Sequence, residues 1–193
     1  MTKKKILVLL GHPNKESTSG YLANEYERGA REVGHDVKRT NIGDLNFDPI
    51  LHKGYREIQA LEPDLLSLQE EIRWAEHIAI FYPNWWGAMP ALMKGMIDRM
   101  WLPGFGFRFN KDGFGWMKLL KGRSSRVVVT MDTHPFLARI LFGDTSNEIK
   151  KCVLEFSGIS PVSLTRIGPV KTMSERKKKY WMEKIFNFGK NAK

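Results

Sequence analysis

Residues 77–99 read HIAIFYPNWWGAMPALMKGMIDR, and this stretch decides the fold. Its first six residues form an apolar run with the length of a strand that is buried on both faces. A turn follows from Pro83 to Met89, and Pro90 suits the start of a helix that runs to about Trp101. The stretch therefore predicts a strand, a loop and a helix in direct succession.

The same alternation recurs along the whole chain. Apolar runs separated by helical patterns predict an α/β fold with a five-stranded, doubly wound parallel sheet and helices on both faces. Residues 1–193 are expected to form a single domain, because 42% hydrophobic residues at this length suffice for one core. The predicted strands are 6–10, a short strand near Val37, 77–82, 126–131 and 162–166, and the predicted helices are 20–33, 63–75, 90–101, 144–156 and 174–187.

The composition limits the cellular compartment and the disulfide and metal chemistry that we expect of the protein. Cys152 is the only cysteine, so no intramolecular disulfide can form, and we expect this residue to be a small buried hydrophobe. The histidines and the cysteine show no metal-ligand spacing, so no metal site is predicted. The apolar run Ile6–Leu10 is too short for a membrane span. These features predict a soluble, cytoplasmic protein.

A formal net charge of +10 indicates anionic partners without identifying them. The most concentrated basic run, 176–179, lies in a helical pattern, and we interpret it as a solvated helix face. No nucleic-acid partner is predicted, since phosphate-bearing cofactors would be attracted equally well.

The first loop, Gly11–Gly20, leads from a strand into a helix. It lacks the pattern of a nucleotide-triphosphatase P-loop and of the dinucleotide-binding fingerprint. Its backbone amides and the hydroxyls of Ser17, Thr18 and Ser19 would cradle a phosphate. Alternatively, these hydroxyls only cap the helix.

The loop after the third strand carries two adjacent tryptophans, Trp85 and Trp86. An aromatic wall beside backbone amides suits the flat, amphipathic isoalloxazine ring of a flavin. The alternative is that both indoles pack inside the domain.

The sequence resembles the flavodoxin-like NAD(P)H:quinone oxidoreductases, including the bacterial modulators of drug activity and the potassium-efflux ancillary reductases. The resemblance covers most of the chain, and the tryptophan-loop segment is its most specific part. The segments that carry it are Gly11-His12-Pro13 with Ser17, Asp44–Pro49, Pro83–Arg99 and Gly104–Phe107.

This resemblance implies a flavodoxin-like fold and a flavin site. The residues that match His12, Ser17 and Ser19 hold the phosphate end of the flavin in that family. Those that match Pro83 to Gly87 contact the isoalloxazine ring, which here are Pro83, Asn84, Trp85, Trp86 and Gly87.

The third loop, Thr130–Phe136, departs from the family, whose better-known members have a glycine-rich loop there. Thr130 and Asp132 are our candidate flavin contacts in this loop. The family's Tyr and His that follow it are matched here by Phe136 and Phe142. His134 is the candidate catalytic residue, with a hydrogen bond to the local backbone as the alternative.

The resemblance also implies a homodimer. An aromatic set of residues is expected to cover the flavin of a neighbouring subunit or to form a lid within one chain. The pair Asp98 and Arg99 is expected to be an exposed or interface ion pair. The aromatic set comprises Phe105, Phe107, Phe109, Phe114 and Trp116.

These observations predict a flavin-dependent oxidoreductase that takes a hydride from NADPH or NADH and reduces a quinone or a similar small acceptor. FMN is preferred to FAD as the flavin, because no segment that grips adenine is evident. The alternatives are a flavin-bearing regulatory subunit that docks on a membrane transporter, and a flavodoxin-type electron carrier.

Overall fold

The computed structural model describes residues 2–193, and a five-stranded parallel sheet lies at its centre. The sheet order is β2-β1-β3-β6-β7, which is a doubly wound order. The predicted flavodoxin-like sheet is thus confirmed. Its strands are β1 (Lys5–Leu10), β2 (Asp36–Asn41), β3 (His77–Pro83), β6 (Ser124–Thr130) and β7 (Val162–Ile167).

Helices cover both faces of this sheet. Two of them, α1 and α5, pack together on one face, whereas α2, α3 and a π-helix pack on the other. All seven residues of β3 are buried, as expected for a central strand covered on both faces. The helices are α1 (Thr18–Glu32), α2 (Pro63–Trp74), α3 (Ala91–Met100), α4 (Pro135–Phe142), the π-helix (Glu148–Glu155) and α5 (Glu175–Asn191).

Two elements of the structure were not predicted. An antiparallel hairpin of β4 (Phe107–Phe109) and β5 (Trp116–Lys118) occupies the aromatic segment. The helix α4 occupies a segment that the sequence placed in a loop, and the helix predicted at 144–156 is the shorter π-helix. Three-residue strands and an eight-residue helix are too short to produce a clear period in the sequence.

Two predicted environments are wrong. Cys152 is exposed, because it lies on the outer side of the π-helix. Arg99 is fully buried and pairs with Glu62, while Asp98 pairs with Lys94 at the surface. Within residues 2–193, no helix is long and apolar enough to cross a lipid bilayer.

Candidate functional site

Three loops meet at the carboxyl ends of the central strands. The chain winds outward from β1 to β2 on one side and from β3 to β6 on the other. The loops after β1 and β3 therefore diverge and leave a crevice at this edge, which is where open α/β sheets bind ligands. The loop after β6 lies beside them, since Asn84 N–H donates to the carbonyl of Thr130 at 2.7 Å.

The first loop is held in shape by its own side chains. The amide of Asn14 donates to Nδ1 of His12 at 2.9 Å, and the amide of Glu16 donates to Oδ1 of Asn14 at 2.8 Å. Ser17 is the N-cap of α1, and its Oγ accepts from the amide of Gly20 at 3.1 Å. The predicted cap is present, and it leaves the loop facing the positive end of the helix dipole.

His12 connects the first loop to the tryptophan loop. Its ring lies 5.3 Å from that of Trp85, edge to face. Burial lowers the pKa of His12, and the Asn14 amide contact offsets this in part. Because Nδ1 accepts from a backbone amide, the neutral ring carries its proton on Nε2, where it can donate to a ligand.

The tryptophan loop is a two-residue reverse turn. Trp85 and Ala88 exchange two backbone hydrogen bonds, of 2.9 and 3.0 Å, and Trp86 and Gly87 between them have φ of 53° and 80°. Glycine adopts such angles freely, whereas a bulky residue does so at a cost in free energy. The turn presents the Trp86 side chain fully to solvent, so the two indoles do not pack inside the domain.

The residues before this turn are less accessible. Pro83 is buried at the end of β3, and Asn84 is partly buried. Within residues 2–193, the buried Oδ1 of Asn84 has no hydrogen-bond partner. An oxygen of this kind beside an exposed aromatic ring can accept from a polar ligand edge.

The predicted contacts in and beside the third loop fall into two groups, one buried and one exposed. The hydroxyls of Ser19 and Thr130 are both buried and lie 2.9 Å apart, so they join α1 to β6 beneath the site. Asp132 points outward and pairs with Lys171 at 2.7 Å. His134 is exposed at the N-cap of α4, and in the described part of the chain no hydrogen bond is formed by its side chain.

Thr18 opens onto a further cavity of about 310 Å³, next to the N-terminus of α1. Its walls are mostly apolar, with Tyr21 from α1 and Trp181 and Met182 from α5, and Lys178 at its edge. The indole N–H of Trp181 is buried and has no hydrogen-bond partner among residues 2–193. This cavity could not be predicted from the sequence, because α1 and α5 are far apart along the chain.

A buried polar cluster beneath the tryptophan loop was also missed. It contains Tyr82, Ser146 and Glu148, beside an ion pair between Asp144 and Arg166. Tyr82 stands in an apolar strand and Glu148 in a charged helix, so neither residue drew attention in the sequence.

Comparisons with known proteins find relatives of this chain. An uncharacterized NAD(P)H oxidoreductase of Haemophilus influenzae is 27% identical over 188 residues, covering 92% of this chain and 90% of that protein. The human ribosyldihydronicotinamide dehydrogenase [quinone] is 25% identical over 151 residues, covering 67% of this chain. This chain spans only 64% of the human enzyme's length.

Two solved structures are similar over nearly the whole chain. The Smu.1420 protein of Streptococcus mutans is 27% identical with a TM-score of 0.84, covering 97% of this chain and 99% of that one. An FMN-dependent NADH-azoreductase of Bacillus anthracis, solved with FMN, has a TM-score of 0.74 at 16% identity, covering 97% and 98%. The second likeness concerns the fold alone.

The family model for the flavodoxin-like fold matches residues 4–190. The predicted family resemblance is thereby confirmed, and the chain belongs to this flavodoxin-like family.

Proposed function

We propose that this protein is a flavin-dependent NAD(P)H oxidoreductase that reduces quinones or similar small acceptors by transfer of a hydride. The observation that carries the proposal is the turn at Trp86, where an indole is fully exposed by a backbone conformation that is costly for tryptophan. Strain of this kind persists where a ligand-binding geometry requires it. The turn lies beside His12 at the edge where this fold binds ligands.

The residues present fit a flavin. Trp85 and Trp86 offer ring faces for the isoalloxazine, and the partnerless Oδ1 of Asn84 accepts from an N–H on the polar edge of such a ring. His12 and Ser17, with the first amides of α1, hold the phosphate end. When bound, the flavin supplies hydride transfer, and the chain supplies binding and orientation.

The other predicted contacts take different roles in this proposal. Ser19 and Thr130 fix the loops from beneath, because their hydroxyls are buried against each other. Pro83 and Gly87 shape the turn. Asp132, paired with Lys171, and the exposed His134 border the open side, where a nicotinamide or an acceptor enters.

The names of the relatives support the reaction class. The Haemophilus protein is named as an NAD(P)H oxidoreductase, the human protein as a quinone-reducing dehydrogenase, and the Bacillus protein as FMN-dependent. We extend to this chain the electron donor and the class of acceptor from the first two names, and from the third only the use of a flavin.

The cavity next to Thr18 favours FAD over FMN, contrary to the preference drawn from the sequence. It adjoins the loop that holds the phosphate end, and its aromatic and apolar walls suit a purine ring. Its volume of about 310 Å³ falls at the lower end of the range for small-molecule pockets. We therefore propose that the adenine of FAD extends from the α1 N-terminus toward Trp181.

The proposal includes a cytoplasmic homodimer of single-domain subunits. Large apolar side chains are exposed on α4 and on the β4–β5 hairpin, and soluble monomers rarely expose such patches. A cavity of about 720 Å³ also opens between residues 51–59 and 101–109, with apolar walls. The exposed residues include Phe109, Phe114 and Trp116 on the hairpin, and Phe136, Leu137, Ile140, Leu141 and Phe142 on α4.

The test is an absorbance spectrum of the purified protein after reconstitution with FMN or FAD, followed by anaerobic addition of NADPH or NADH. We expect a bound flavin whose visible band bleaches on addition of the nucleotide and returns when a quinone is added. A protein that binds neither flavin would contradict the proposal. A flavin that bleaches only with a partner reductase would indicate the carrier function instead.

The regulatory alternative has one specific feature in its favour, the exposed basic run 176–179 at the start of α5. Cations at the positive end of a helix are unfavourable, so an anionic partner is a reasonable explanation. The test replaces residues 176–179 with glutamines and measures turnover by the isolated protein. Equal turnover by the native and the substituted protein would separate the enzymatic role from the docking role.

A further inference from the structure

Several of the partnerless buried polar atoms of residues 2–193 lie in one place. They are Oη of Tyr82, Oγ of Ser146 and Oε1 of Glu148. Tyr82 and Ser146 are completely buried, and Glu148 is partly buried. Since buried polar atoms are nearly always hydrogen-bonded, such a cluster indicates a functional group or a site for bound water.

The cluster lies against the proposed flavin site. Tyr82 is the penultimate residue of β3 and lies two positions before Asn84 in the chain. A Cβ on Gly87 would stand 3.9 Å from Cγ2 of Thr145, so the tryptophan turn packs against the residue preceding Ser146. The cluster is thus directly beneath the turn.

The charges around Glu148 come from three elements. Asp144 precedes the π-helix and is neutralised by Arg166 on β7, and its Oδ1 also accepts from the amide of Ser146 at 3.1 Å. Tyr82 faces the carboxylate from β3. On the π-helix itself, Lys150 is engaged elsewhere, since its Nζ lies 3.8 Å from Oε1 of Glu155.

These surroundings favour the protonated form of both acids. Burial raises the pKa of Glu148, its own amide opposes this, and the Asp144 carboxylate raises it further. Burial also raises the pKa of Tyr82, as does the Glu148 carboxylate, while the neighbouring Ser146 hydroxyl lowers it to a smaller extent. The cluster therefore holds protons more firmly than surface carboxyls do.

We propose that Glu148, with the hydroxyls of Tyr82 and Ser146, is the proton source for the acceptor in this enzyme. The inference rests on the proposed function. Reduction of a quinone needs a hydride and one further proton. The hydride comes from NAD(P)H by way of the flavin, and the proton forms an O–H bond on the product. The O–H bond of Glu148 breaks, and its carboxylate recovers a proton from solvent.

This assignment explains a departure from the family. The positions that match the family's Tyr and His are Phe136 and Phe142, which are exposed and cannot carry a proton. In this proposal, the carboxyl group of Glu148 behind two hydroxyls supplies the proton in place of those two side chains. Glu148 is a positioning residue in this scheme, because it acts through Tyr82 and Ser146.

The main test compares Glu148→Gln with Glu155→Gln, a matched change on the same π-helix. In stopped-flow measurements, we expect bleaching of the flavin by NADPH to be unchanged in both variants. Reoxidation by a quinone falls roughly 100-fold in E148Q, the size of a lost general acid, and loses its pH dependence. Ser146→Ala, a smaller change in the same path, lowers reoxidation in the same direction.

A second readout needs no flavin. Carboxyl titration of the apoprotein by NMR is expected to give Glu148 a pKa above the ordinary glutamate value, and Asp144→Asn is expected to lower it, because a neighbouring carboxylate is removed. Titration of Glu148 at the ordinary glutamate value, or unchanged reoxidation in E148Q, overturns the proton source. If the flavin of the native protein does not bleach on addition of NADPH, the proposed function is contradicted instead. The carboxyl titration would then still show whether the pKa of Glu148 is raised.

Discussion

The guanidinium of Arg99 donates to both carboxylate oxygens of Glu62, with two N–O distances of 3.0 Å. Arg99 lies on α3, directly after the tryptophan loop, and it also donates to the backbone carbonyls of Asp48 and Ala60. Gly95 on the same helix lets the backbone of Pro49 approach, since a Cβ there would stand 2.5 Å from its carbonyl oxygen. The irregular segment 48–62 is thereby fixed to the helix that supports the site.

Glu62→Gln is expected to lower the free energy of unfolding by about 3 kcal/mol, because it leaves the fully buried Arg99 without a counter-charge. Glu57→Gln, in the same segment but exposed, is the control and is expected to have no such effect. Chemical denaturation of both variants measures the difference. Equal stabilities would mean that the backbone carbonyls alone hold the arginine.

Lowering the pH is expected to weaken the same contact. Burial raises the pKa of Glu62, but hydrogen bonds from its own amide, from Arg99 and from the Asp48 amide lower it overall. A lowered pKa stabilises the fold above the ordinary glutamate value of 4.5, and this contribution disappears as the pH falls through the folded-state value. Native protein and E62Q are therefore expected to converge in stability under acid denaturation.

Trp86→Asn is expected to raise stability and to weaken flavin binding. Asparagine tolerates a positive φ and forms the favoured Asn-Gly pair for this turn, so the free energy of unfolding rises by about 0.5–1 kcal/mol. Loss of the stacked ring weakens flavin binding roughly tenfold. Calorimetry and flavin titration measure the two effects.

Phe114→Asn serves as the control for that change. Phe114 is also an exposed aromatic residue, but it lies on the β4–β5 turn and has no positive φ. We expect neither a gain in stability nor, in the monomer, a loss of flavin affinity. Equal behaviour of the two asparagine variants would remove the special role assigned to the Trp86 backbone.

Trp181→Ala is expected to weaken binding of FAD roughly tenfold, by loss of an aromatic wall of the cavity, and to leave FMN binding unchanged. Tyr180→Ala is the matched control, because Tyr180 neighbours Trp181 but does not line the cavity. Isothermal titration with both flavins decides the matter. A parallel loss of FMN and FAD would place the adenine elsewhere.

His77 makes the fold sensitive to mild acid. Burial, with smaller contributions from Lys4, Arg126 and His35, lowers its pKa to about 3. The unfolded chain binds this proton near pH 6.5, so stability is full above that pH and declines as the pH falls toward 3, by up to about 1.4 kcal/mol per pH unit. His77→Gln is expected to flatten this decline, and the exposed His134→Gln is expected to leave it unchanged.

The strands and most helices were predictable from the sequence because burial on one or both faces imposes a period on apolar residues. The burial of Arg99 was not predictable, since its partner Glu62 lies 37 positions away. A buried arginine also has the same sequence signature as an exposed one. The helix α4 escaped notice because its eight residues are too few to show a clear period, and only Ala138 among them is buried.

The loops that form the candidate site were predictable from the sequence, whereas the directions of their side chains were less so. Trp85 and His12 of the first loop lie side by side, so the two loops meet at this edge of the sheet. The hydroxyls in the first loop looked equivalent in sequence, yet Ser17 caps the helix, Thr18 faces a cavity and Ser19 is buried. The directions of these three side chains depend on the rotation of the helix between consecutive residues and on the residues of β6 that lie opposite.

The bond between Ser19 and Thr130 has a consequence for how the cofactor is loaded. It joins the start of α1 to the end of β6, 111 positions away along the chain, before any ligand arrives, so little ordering is left to accompany binding. Flavin capture is then a diffusional encounter between an anion and a protein of net charge +10. The association rate constant is expected to be high at low ionic strength and to fall steeply as salt is added.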